Sequence, residues 1–205
     1  MNKLTLDEFT IKTAGKDPVP GGGGVSGLVG ALAASLSEMV TSLTTGKKKY
    51  AEYEEEIQAI MQTSEDLRIR LLNSINEDAE AFMPLAKAYG MDMTSEGYQE
   101  NLEKCLRVAA SSPFNILKMC TEVIELDERL AIIGSKLAVS DAATSVMLAH
   151  GALYGAYINI LVNTRLMKDK EYASKLDEEA ISILKEYSER ALRCFDSIKE
   201  RLTNG

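Results

Sequence analysis

Two stretches of this chain are apolar on nearly every side of a helical wheel, and they constrain the whole fold. Val25 to Leu36 precedes Glu38; Ala142 to Ile158 contains His150 and precedes Asn159 and Asn163. Each reads as short of the ~20 apolar residues that span a bilayer, so no membrane is expected as a partner. A helix apolar nearly all round is otherwise a buried central helix. Around these two, apolar residues recur at helical spacing, whereas β-branched and aromatic residues nowhere alternate convincingly with polar ones. The expected fold is all-α: one domain over residues 1–205, a helical bundle built on two buried apolar helices.

The flanking signals set the expected boundaries. Leu4 to Ala14 reads as a short amphipathic helix with Leu6, Phe9 and Ile11 near one face. Val25 to Thr45 is the first apolar helix. Its Gly27, Gly30, Ala31, Ala34 and Ser37 form a small-residue seam suited to close helix approach, within the chain or between subunits. Tyr50 to Tyr89 reads as one long helix that Pro84 should kink or end. Thr94 or Ser95 is expected to cap Glu96 to Ala110, and Ser112-Pro113 to start a new helix running to Ile133, stopped by Gly134. Leu137 to Met167 is the second apolar helix, with Ser140-Asp141 as a possible cap, and Asp169 to Leu202 the last, before a fraying Thr203-Asn204-Gly205.

Charge narrows the partners. With 23 Lys and Arg against 31 Asp and Glu, the net charge is −8, which argues against nucleic acid. Cys105, Cys120 and Cys194 are odd in number and scattered, with neither metal-ligand nor disulfide spacing. The first residues carry Asp7 and Glu8 where a signal peptide needs an apolar core, so a cytoplasmic setting is expected.

Candidate chemistry is spread along the chain. Pro18-Val19-Pro20 runs into Gly21-Gly22-Gly23-Gly24 at the start of the first apolar helix. Such a run is either a flexible turn or a place where a ligand approaches the free N–H groups and positive dipole end of a helix. No Gly-Lys-Ser/Thr follows and no strand precedes, so neither a P-loop nor a dinucleotide fold fits. Asp78 stands with Glu77 and Glu80 in the least polar carboxylate neighbourhood of the long helix; an aspartate there facing a cleft would have its pKa raised toward the working range of an acid–base group, whereas spacing alone favours a solvated surface charge for each of the three. Lys47, Lys48 and Lys49 suit a helix C-terminus or an anionic ligand. Asn159 and Asn163 share a helix face and need partners, either backbone or a polar pocket. His150 is the single histidine, which makes a histidine-based metal site or a Ser-His-Asp triad a poor fit.

Taken in order, Pro20-Gly21-Gly22-Gly23, Gly46 to Tyr50, Asp78-Ala79-Glu80-Ala81-Phe82, Val139-Ser140-Asp141 and Gly155 to Asn163 resemble the cyclodeaminase/cyclohydrolase family. The resemblance runs from about Pro18 to Asp169. It implies an all-helical homodimer acting on a tetrahydrofolate one-carbon derivative as substrate, with no metal and no other cofactor. It places the catalytic acid–base on Asp78. It gives substrate binding to Pro20, Gly21, Gly22 and Gly23, to Lys47 and Lys48, to Ser140 and Asp141, and to Asn159 and Asn163. The implied reaction is hydrolysis of 5,10-methenyltetrahydrofolate, with formiminotetrahydrofolate cyclodeamination and non-catalytic folate binding as alternatives. Two positions depart from the family pattern: Gly24 stands where Ser or Ala is usual, and Ser135 where Asn follows Gly.

Overall fold

Helical spacing is realised from end to end in the computed structural model, which describes residues 1–204. Those residues form α1 (Leu6–Thr13), α2 (Gly22–Ser42), α3 (Glu54–Tyr89), α4 (Tyr98–Ile133), α5 (Val139–Thr164) and α6 (Lys170–Asn204), with no strand among them. A 3-10 turn, Lys48–Tyr53, joins α2 to α3. Gly205 lies outside the described residues.

Consecutive long helices run antiparallel, as their cross-links show. The α2–α3 pair is tied by Arg68 and Glu38 (2.7 Å) at one end and meets at Gly23 and Asp78 at the other. Across α2 and α5, Ser145 Oγ donates to the Ala33 carbonyl (2.8 Å), while Gly22 faces Asn159. Thr164 donates to Asp177 (2.7 Å) where α5 meets α6. α2 and α5 form one layer, seated over a second layer of α3, α4 and α6. Leu67, Leu71, Leu117, Ile124, Leu130 and Leu153 are fully buried where the layers meet, each worth roughly 1.5–3 kcal/mol. A satellite core around Leu85, Leu106 and Met167 closes the end near the α5–α6 turn.

The small-residue seam is used inside the chain: α3 presses Ser74 and Leu71 against Gly27 and Gly30 of α2. Burial of the two apolar helices is partial. Within their most apolar stretches only 56% of α2 and 39% of α5 is buried. Leu32 and Met39 on α2 and Tyr154 and Ile158 on α5 stay 47–59% exposed. The helices span 21 and 26 residues and by length and composition each could cross a bilayer, which corrects the reading of their apolar stretches as too short.

Several boundaries differ, for local reasons. α2 begins at Gly22 rather than Val25, because three glycines form its first turn. It ends at Ser42, so Lys47, Lys48 and Lys49 sit on the following turn and do not cap it. Only Phe9 of α1's expected apolar face is buried; Leu6 and Ile11 are exposed. α3 passes through Pro84 unbroken. α4 starts after Gly97, whose φ of 79° favours glycine, because Asp92 takes the Thr94 N–H and hydroxyl into a local turn. It also continues through Pro113, where two helices were expected. The ring removes the N–H that would bond the Ala109 carbonyl, and the Asn163 amide supplies a replacement donor at 3.4 Å.

Candidate active site

At the end of the bundle where α2 begins, four helices and the segment before α2 enclose a cavity of about 220 Å³. Pro18, Val19 and Gly21 to Gly23 form one wall, and Asp78 and Phe82 of α3 a second. Ala109 and Pro113 of α4 and Asn159, Val162 and Asn163 of α5 complete it. The Val19–Pro20 peptide is cis. The space is below the ~300–1,000 Å³ of sites that engulf a drug-sized ligand, so a larger molecule would enter it by one end only. A larger groove of about 720 Å³ lies at the opposite end, but its Lys136, Glu200 and Arg201 are exposed surface charges.

The glycine run is explained by what it touches. A Cβ at Gly23 would overlap the Asp78 carboxylate, and one at Gly22 would lie 2.7 Å from Asn159 Nδ2. Two polar side chains therefore occupy the space that the first side chains of α2 would fill. The departure at Gly24 leaves this intact: its N–H lies near the Asp78 carboxylate, and a Cβ there would meet Pro20 and Ile75 at 3.4 and 3.6 Å.

Asp78 is the one ionisable residue lining the cavity; Glu77 and Glu80 are exposed. Burial pushes its carboxyl above the ordinary carboxylate range, and two nearby donors that stand short of hydrogen-bond geometry, the Gly24 N–H and the Ser112 hydroxyl, act against the rise. The positive end of α2 acts in the same sense as those two donors. A carboxylate partly stripped of water and aimed into a small cavity suits proton transfer.

The asparagines are fixed by their donors. Asn159 Nδ2 donates to the Gly155 carbonyl (2.7 Å), and Asn163 Nδ2 to the Asn159 carbonyl (2.8 Å) as well as to Ala109. Both amide oxygens remain as acceptors at the cavity wall, where a ligand with N–H donors complements them.

The structure thus brings together Gly21, Gly22, Gly23, Asp78, Asn159 and Asn163, with Pro20 adjoining through its contact with Gly24. It does not bring Lys47, Lys48, Ser140 or Asp141 to this cavity. Ser140 and Asp141 lie in the first turn of α5, roughly 27 Å from Asn159 at 1.5 Å per residue. The lysines follow the far end of α2. Ser135 is there too: its N–H donates to Thr44 Oγ1 (2.8 Å). His150 pairs with Ser188 (2.9 Å), away from the cavity.

Phe82, Ala109, Pro113 and Val162 were not singled out from the sequence as site residues. Phe82 was within reach, four residues after Asp78 on the same helix face. Pro113 was hidden by being read as a helix start.

Comparison with known proteins gives the same picture. A formiminotransferase-cyclodeaminase family profile matches residues 5–182. The methenyltetrahydrofolate cyclohydrolase of Methylorubrum extorquens is 33% identical over 202 residues, covering 97% of both chains. The formimidoyltransferase-cyclodeaminase of Mus musculus is 23% identical, and this chain spans 37% of its length. A crystal structure of formiminotetrahydrofolate cyclodeaminase from Thermotoga maritima superposes with a TM-score of 0.84 at 31% identity, over 98% of this chain and 97% of that one. Match length, identity and fold agree, and the chain belongs to the formiminotransferase-cyclodeaminase family.

Proposed function

We propose that this protein hydrolyses 5,10-methenyltetrahydrofolate to 10-formyltetrahydrofolate, with Asp78 as the acid–base group. The observation that carries the reading is Asp78 itself: half-buried at the start of α2, it is the one ionisable residue on the cavity wall. The full-length similarity to a methenyltetrahydrofolate cyclohydrolase supports the choice of reaction.

The bridging carbon of the substrate carries positive charge, which the carboxylate stabilises. Asp78 takes a proton as water adds to that carbon, giving a neutral tetrahedral adduct. It then returns the proton to N5 as the N5–carbon bond breaks. The adduct's hydroxyl proton leaves to solvent, and the carbon remains on N10 as a formyl group. No oxidation state changes, so the step consumes no redox cofactor. The amide oxygens of Asn159 and Asn163 accept from the pterin's N–H groups, and the rest of the folate extends out of the small cavity.

The exposed apolar stripes of α2 and α5 support a homodimer joined through that layer. A two-fold axis through its middle would bring Lys47, Lys48, Ser140 and Asp141 of one copy toward the cavity of the other. That arrangement would let them bind the anionic glutamate end of the substrate. Three buried free thiols fit a reducing cytoplasm.

The test is loss of methenyltetrahydrofolate absorbance with purified protein beside Asp78→Asn. Acceleration that vanishes in the variant supports the reading; full activity of Asp78→Asn sinks it. The likeness to the Thermotoga maritima cyclodeaminase favours a second reaction, in which N10 attacks a formimino carbon and ammonia departs. Ammonia release from formiminotetrahydrofolate, without methenyl hydrolysis, would select it. Folate binding without either turnover would mark a non-catalytic binder.

A further inference from the structure

Helical serines in this fold habitually turn their hydroxyls onto the carbonyl three or four residues back. Ser26 donates to Gly22, Ser35 to Ala31, Ser74 to Leu71 and Ser111 to Val108. Ser112 does not. It is 5% exposed and its Oγ has no partner among the described residues. A buried hydroxyl without a partner is a cost that calls for a reason. Ser112 stands between Ala109, one turn back on its own face, and Pro113, both of which line the Asp78 cavity. Ser64 is likewise unpartnered, but it lies 14 residues before Asp78 on α3, far from the cavity.

We propose that Ser112 is a positioning residue: its hydroxyl donates to the Asp78 carboxylate and, with the Gly24 N–H, fixes that group so that one oxygen faces the cavity. The two donors come from opposite sides, α4 and the start of α2, and leave the carboxylate one orientation. They also favour its ionised form against desolvation. No other ionisable residue lines the cavity, so the titration belongs to Asp78 alone.

This inference rests on the acid–base reading of Asp78 for its catalytic meaning, but its test does not need turnover. The Asp78 carboxyl is titrated by carbon-13 NMR in the native protein and in Ser112→Ala, with the signal assigned by its loss in Asp78→Asn. Removing the donor should raise the Asp78 midpoint by about half to one pH unit. Ser112→Cys, a weaker donor of similar size, should give a smaller rise and covers the case in which the alanine variant does not fold. An unmoved midpoint in a folded variant overturns the proposal, whatever the activity. A raised midpoint in a protein that turns over no folate upholds it while the functional reading fails. Where the native protein is active, the acid limb of its pH–rate profile should move up with the midpoint, with activity recovering at higher pH.

Discussion

Asp127 is a carboxyl sealed in the centre of the bundle, and replacing it with asparagine should reveal a pH-dependent penalty. It is 0% exposed; Ser37 Oγ donates to its Oδ1 at 2.7 Å, and Oδ2 has no partner. Ser37 also lies 3.0 Å from Ser145 Oγ, so α2, α4 and α5 meet at this point. Burial pushes the Asp127 pKa from 3.8 up to about 8, against the pull of Ser145 and Ser37. The folded state therefore holds a proton that the unfolded chain has lost above pH 3.8. The contribution is whole below that value, declines as pH rises, and levels off above about 8. The slope is roughly 1.4 kcal/mol per pH unit, or about 4 kcal/mol between pH 5 and pH 8. Asparagine keeps the acceptor for Ser37 and cannot ionise. Urea unfolding of both proteins from pH 5 to pH 8 should show Asp127→Asn gaining stability relative to the native protein by about that amount. Other titrating groups are common to both and cancel in the difference. A difference that stays flat across the range would mean that Asp127 does not hold its proton in the fold.

Three further outcomes are expected. Gly23→Ala drives a methyl into the Asp78 carboxylate and should cut turnover by about 100-fold. By contrast Gly151→Ala, at a helical position where a Cβ meets nothing within 4 Å, should raise stability in urea unfolding by roughly 0.5–1 kcal/mol and leave turnover intact; comparable activity in both variants would refute the packing argument. Pro113→Ala returns an N–H to compete for the Ala109 carbonyl that Asn163 now uses. Thermal unfolding should rise, by up to about 3 kcal/mol, while KM for folate worsens; an unchanged KM would detach Asn163 from binding. Leu32→Arg with Ile158→Arg should convert a dimer to a monomer in sedimentation and impair turnover, whereas a native protein that sediments as a monomer would remove the subunit interface.

Helical class, the long helices and the stop at Gly134 were legible because apolar spacing and glycine act locally. Asn159 could be singled out as a polar group in apolar surroundings, whereas Asp78 was picked from its acidic neighbours by the family resemblance. Their meeting could not be read, since it depends on how α2, α3 and α5 register across their interfaces. The continuity of α4 through Pro113 was hidden for a similar reason: its replacement donor, Asn163, comes from 50 residues downstream. The outward stripes of α2 and α5 escaped notice because apolar composition does not say which side of a helix finds a neighbour.

The first turn of α2 also bears on where the molecule loosens first. Three consecutive glycines make it the poorest helix-nucleating turn in the chain. Its tertiary support comes from the close approach of Asp78 and Asn159. The amides of Gly23 to Val25 should therefore exchange with solvent deuterium through a local opening far easier than global unfolding. A folate bound in the cavity would slow that exchange selectively. The turn that faces the proposed chemistry should thus be among the first parts of the bundle to loosen, and ligand occupancy can be followed there without any turnover.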